Sequence, residues 1–291
     1  MKSAIIVLII LGNSFSLPAQ NWPGLPVEVV SQFGTKLPDG RFEVEMGVVT
    51  ESEETQAPWD GEVVFQGNLD NPWLRGWNDS RGDYLSLSGP DLIRLQISGL
   101  TFIPGNDKNK FQKGDRLGLF VSKSNNLNSP LSKYYALSVY NSAENRWLNP
   151  SQQFPTWLDN RDPVVVQAQV KGENGELILL GPRSTMGIGY WSIIVDVYDL
   201  TPGHNRPLAF QYLGGFLNGT PFFEWSWDQL QIKKGVYEGT DGVGVPQSSG
   251  TLWPLGRVFV NQGTNIFDLM VKDSQGNITR RTYRLIGSLR P

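Results

Sequence analysis

The sequence predicts an all-β protein of antiparallel sheets, on three observations. Gly (32) and Pro (19) punctuate the 291 residues at short intervals, which breaks the chain into turns and brief extended pieces. Between these breaks, apolar residues alternate with polar ones at the two-residue period of a strand. Long stretches at helical period are few. The length suffices for one or two domains with a sizeable core. Pro150, Pro155 and the pair Asp162-Pro163 place a boundary near residue 160, giving regions 20–160 and 161–291.

Composition narrows the function classes. A net charge of −3 is too small to steer the chain toward nucleic acid or a membrane surface, so no nucleic-acid partner is expected. The absence of cysteine rules out disulfides, thiolate metal sites and a thioether lipid anchor. Lys2, the apolar run Ala4 to Leu11 and the stretch Ser14 to Ala19 form a leader of signal-peptide type, with cleavage expected after Ala19. The apolar run is short for a bilayer span and no later stretch is longer, so no transmembrane segment is expected after cleavage. An exported, cysteine-free chain suits a bacterial periplasm or cell surface.

The first region then unfolds in order. Val27 to Val30 is a short strand. Asp39-Gly40 is a turn, after which Phe42, Val44, Met46 and Val48 alternate as one face of a strand. Glu51 to Glu54 is a solvated acidic run, and Asp60-Gly61 opens the strand Val63 to Phe65. Asn68 to Arg81 has no period and carries Trp73 and Trp77, loop aromatics of the kind that stack on the apolar face of a sugar ring. Tyr84, Leu85 and Leu87 pair with Leu92 to Ile97 across Gly89-Pro90-Asp91. Lys113-Gly114-Asp115 turns into Leu117, Leu119 and Val121. A Ser/Asn-rich loop follows to Ser132, and Tyr135, Leu137 and Val139 alternate with Ala136, Ser138 and Tyr140 as a half-buried strand.

Together, Ala57-Pro58-Trp59-Asp60-Gly61-Glu62-Val63, Lys113-Gly114-Asp115 with Leu117, and Asn149-Pro150 resemble scaffold motifs of the M23 (LytM/lysostaphin-like) zinc peptidases of peptidoglycan. The resemblance covers residues 33–155. It implies an M23-like antiparallel sheet domain. In that family a His, an Asp four residues later and the last His of an HxH strand bind zinc, while two further His assist attack by water, with one metal position left open. Laid on this chain, those positions fall on Glu43, Gly47, Gly99, Tyr134 and Ala136. No imidazole stands among them. Glu43, Glu45 and Asp91 are carboxylates better suited to calcium or magnesium than to zinc. No catalytic residue, metal site or cofactor is expected.

In the second region, Val164, Val166, Ala168 and Val170 alternate, and Asn174-Gly175 turns into Leu177 to Leu180. Gly189 to Asp199 reads as a buried central strand ending on acids. Leu208 to Leu217 and Phe222 to Trp227 flank Asn218-Gly219, and Lys233 to Pro254 is a Gly/Ser-rich insertion, densest over 235–254. Asn265 to Lys272 and Thr279 to Leu285 flank Asp273 to Asn277. The tail resembles the last hairpin of bacterial Ig-like modules, which implies a C-terminal Ig-like β-sandwich. The single His204 lies in a turn, and neither a GxSxG nucleophile nor a phosphate-binding glycine loop occurs.

Two functions follow from these residues. One is an M23-like envelope protein that holds peptidoglycan or an envelope protein partner without cutting it, with Trp73, Trp77 and Tyr134 as candidate ligand-binding side chains. The other is a carbohydrate-binding or adhesin-like protein stacking glycan on Trp73, Trp77, Trp225, Trp227 and Trp253. An active metallo-endopeptidase is what family membership alone would imply.

Overall fold

A computed structural model describes residues 21–37, 41–67, 83–101, 109–121, 133–154, 159–200, 207–239, 244–245 and 250–289. These contain β-strands and two single-turn 3₁₀ helices, and no α-helix, so the all-β expectation holds. The first ten strands are β1 (Pro26–Ser31), β2 (Met46–Thr50), β3 (Glu54–Gln56), β4 (Gly61–Gly67), β5 (Asp83–Ser88), β6 (Ile93–Thr101), β7 (Lys110–Phe111), β8 (Arg116–Phe120), β9 (Lys133–Asn141) and β10 (Arg146–Leu148). Then come β11 (Val164–Gly172), β12 (Leu177–Leu179), β13 (Arg183–Gly187), β14 (Gly189–Tyr198), β15 (Tyr212–Leu217) and β16 (Thr220–Ser226). The last are β17 (Gln229–Lys233), β18 (Val236–Glu238), β19 (Leu252–Val260), β20 (Gly263–Lys272) and β21 (Ile278–Ser288).

A 12-stranded sheet holds β1 to β10 together with β17 and β18. Its centre is β9, paired with β6 on one side and with β2 and β10 on the other. Leu85, Leu87, Leu95, Ile97, Leu137 and Val139 project from one face of these strands into a first core. The remaining strands form sheets of four and five members, β12-β11-β14-β19 and β13-β21-β20-β15-β16. They enclose a second core that includes Ile193, Val195, Val258, Leu213, Phe267 and Leu285. Every pairing is antiparallel except β13 with β21.

Several expectations need correction. The strand containing Met46 and Val48 does not begin at Phe42. Phe42 instead bridges Lys36 and packs its ring on Trp227 and Tyr237, because an aromatic gains more from the second core than from prolonging β2. β9 is buried on both faces from Tyr135 to Val139. Ala136 and Ser138 are short, and the longer Tyr134, Gln96 and Tyr140 flank them on their face. The Lys233 to Pro254 insertion contains β18, which pairs with β17, and the first residues of β19. Glu54 leaves the acidic run to enter β3, where its carboxylate meets Arg116 at 3.1 Å. The leader, the Asp39-Gly40 turn, Trp73, Trp77, His204 and the loop 122–132 lie outside the described residues.

Candidate functional site

On a strand, residues two apart share a face, and so do partners across the ladder. The 12-stranded sheet therefore presents a second face, opposite the first core. At one end a row of facing residues runs Tyr84, Ser98, Ala136, Gly47, Ser31 across five strands. Two of the positions taken from the sequence, Gly47 and Ala136, thus stand directly opposite each other. Tyr134 lies on the same face two residues from Ala136, and a Cβ added at Gly47 would come within 2.6 Å of its hydroxyl and 2.6 Å of the Ser31 hydroxyl. The Gly47 N–H donates to Ser31 Oγ at 3.0 Å.

The other two positions sit apart from this row. Gly99 has φ +94° and lies where the β5–β6 register slips between Asp83 and Tyr84. A bulge residue at positive φ favours glycine, which accounts for its identity without any catalytic role. Glu43 lies outside the strands, against the turn that follows β1. Its N–H donates to the Thr35 carbonyl and its own carbonyl accepts from Gly34 N–H, each at 2.8 Å. Glu45 N–H reaches Glu43 Oε1 at 3.4 Å, whereas Asp91 is at the tip of the β5–β6 hairpin. The row of Gly47, Ala136 and Ser98 does not fit a zinc ion, because none of these side chains is an imidazole or a carboxylate.

Further along the same face the sheet opens. Ser86 faces Gln96, which faces Ser138. The next row runs Ser88, Arg94, Tyr140, Trp147, Leu230, crossing from β5 to β17. Here a cavity of about 360 Å³ is lined by Ser86, Arg94, Gln96, Tyr140, Asn145, Trp147 and Ile232. The Tyr140 and Trp147 rings pack at 4.8 Å, and the Tyr140 hydroxyl donates to Asn145 Oδ1. None of this was singled out from the sequence. Arg94 and Gln96 were visible only as the polar half of an alternating strand, and Ile232 comes from beyond the boundary at residue 160.

A second grouping also escaped the sequence. Asp159, Asp199 and Asp273 bring carboxylate oxygens within 4.8 Å of one another. Burial pushes all three acids up, and Asp199, with Asp273 beside it, is pushed up to about 7. Asp199 accepts from Leu200 N–H at 2.9 Å and more weakly from Gln32 Nε2 at 3.4 Å. Asp273 caps its own turn, accepting from the N–H groups of Gln275 and Asn277 at 2.8 Å each. These hydrogen bonds tie Asp199 to the neighbouring Leu200 and to Gln32, and tie Asp273 to its own turn.

The expected row of glycan-stacking tryptophans is not available in full. Trp225, Trp227 and Trp253 are 4%, 0% and 4% exposed and belong to the second core, where they pack ring against ring. Burying so large an apolar surface outweighs leaving it for a ligand.

One protein-family model matches residues 162–286, which is less than half of the chain. No curated protein matches it. Among solved structures, Csd3 of Helicobacter pylori is similar at 18% identity and a TM-score of 0.35, over 48% of this chain and 35% of that one. A zinc-containing peptidase of Vibrio cholerae is similar at 17% identity and a TM-score of 0.30, over 42% of this chain and 36% of that one. Lysostaphin is similar at 11% identity and a TM-score of 0.33, over 88% of this chain and 86% of that one. The chain thus spans about a third of the length of the first two. Scores of this size carry no inference about function.

Proposed function

We propose that this chain is a non-catalytic, M23-peptidase-like protein of the bacterial envelope that holds peptidoglycan or a partner protein on the open face of its large sheet. The observation that carries this reading is the facing pair Gly47 and Ala136, with the Tyr134 hydroxyl in the space beside Gly47. Activating water for peptide cleavage takes a metal or a general base within reach of it. Gly47, Ala136 and Ser98 provide neither, while the rest of the face keeps polar and aromatic side chains suited to binding. The leader over residues 1–19 supports export. The four- and five-stranded sheets fit an Ig-like module serving as spacer or docking surface.

The test is an incubation of purified full-length protein with peptidoglycan sacculi, combined with elemental analysis. The protein is expected to sediment with the sacculi, to carry no stoichiometric zinc and to release no soluble fragments. Cleavage that a chelator abolishes would overturn the proposal.

A further inference from the structure

We infer that the cavity between β5, β6, β9, β10 and β17 is a receptor for the terminal carboxylate of a short peptide, with Arg94 as its charge partner. This deepens the reading of the sheet face as a binding surface and rests on it. The Arg94 side chain is exposed, projects from β6 into the cavity, and makes no ion pair or hydrogen bond among the described residues. Its volume of about 360 Å³ is within the range of sites that enclose small ligands.

Among the described residues, the lining is rich in donors and lacks acids. Tyr140 gives its proton to Asn145 Oδ1, and the Asn145 amide N–H groups have no partner among the described residues. Gln96 and Ser86 likewise bring an amide and a hydroxyl without one. The nearest acid along the chain, Glu144, is held by Arg146 and by Asn141 Nδ2. A cavity offering one guanidinium and several neutral donors complements a group that only accepts and bears one negative charge. A carboxylate meets that description, and the planar guanidinium can take both its oxygens at once. A phosphate would carry nearly twice the charge against the same single cation.

The remaining walls say what the carboxylate is attached to. Trp147 is half-buried, and Ile232 is 51% exposed on the same side of the cavity. They form an apolar patch next to the cation, which suits small aliphatic side chains better than a sugar hydroxyl face. Along β9, Tyr140 is four residues from Ala136, roughly 13 Å away at the rise of a strand. The receptor is therefore separate from the Gly47 and Ala136 pair, and its Ile232 wall is supplied by the second half of the chain.

Calorimetric titration of the full-length protein with tri-alanine, as free acid and as C-terminal amide, tests this. The free acid is expected to bind about tenfold more tightly or better, from a charge-assisted bidentate contact. Arg94→Gln should erase that preference and Arg94→Lys should keep part of it, with the thermal midpoint unchanged because the side chain is exposed. Equal binding of acid and amide, no binding of either, or a preference that survives R94Q would overturn the inference. Tighter binding of N-acetylmuramic acid than of tri-alanine would overturn the assignment to peptide. Sacculus sedimentation separates this from the broader proposal: wild-type protein that sediments with sacculi but binds acid and amide equally removes the receptor alone.

Discussion

A Cβ at position 47 would lie 2.6 Å from two hydroxyl oxygens, so this glycine is required by its neighbours whatever the history of the site. Placing an acid there, as the resemblance to M23 peptidases would have it, is therefore not a neutral change. Gly47→Asp would push a carboxylate into a buried strand position whose nearest side-chain atoms, among the described residues, belong to Tyr134 and Ser31 rather than to a cation. The expected cost is on the order of 2–4 kcal/mol, from strain and an unpaired buried charge. Urea denaturation measures it, and the double variant with Tyr134→Ala should recover part of the loss. At Asp199 the sign runs the other way. Its acid is held near 7 against an ordinary 3.8 by burial and by Asp273, so the fold favours the neutral form. The stability this group contributes is complete below about pH 4 and is lost as pH rises through about 7. Asp199→Asn should flatten the fall in unfolding free energy measured between about pH 4 and about pH 7. An unchanged slope would mean that another group carries the titration.

The elements that could be read in the sequence are those whose pairing is local. Asn174-Gly175 and Asn218-Gly219 close the hairpins β11–β12 and β15–β16, and both glycines have positive φ, which is the backbone state that makes the dipeptide a hairpin signal. Asp273 to Asn277 closes β20–β21, and Gly89-Pro90-Asp91 closes β5–β6. Pairings between distant segments leave no such mark. β17 joins β10 through only Trp147 with Leu230 and Leu148 with Gln229, so the sheet's extension into the second half had no local signature. The cavity at Arg94 was hidden for the same reason, since two of its walls meet only through that pairing. The facing of Gly47 with Ala136 was half legible. The resemblance named both residues, but only register shows that they are partners across the ladder. Phe42 misled because its alternation with Val44 and Met46 is equally compatible with a strand and with an aromatic leaving the strand for another core.

At the scale of the molecule, a boundary near residue 160 divides the chain but not its packing. Phe33 and Phe42, from the first region, are members of the second core. Gly34 is pressed so closely on Trp227 that an added Cβ would sit 2.4 Å from the indole. The polar joint is equally shared. Asn149 Nδ2 donates to Gln211 Oε1 and to the Trp227 carbonyl, both at 2.8 Å, and its own N–H donates to the Asp228 carbonyl at 2.9 Å. Two cores linked by a continuous sheet and by interlocked aromatics should open together, since exposing one strips the cover from part of the other. Phe42→Ala supplies the decisive case, because it deletes a first-region side chain while leaving every strand pairing intact. Truncating a buried Phe costs about 3–5 kcal/mol, and the loss is expected to appear equally in hydrogen exchange of β6 amides and of β14 amides. If only β14 is weakened and β6 keeps its protection, the two sheets unfold independently and the shared core does not couple them.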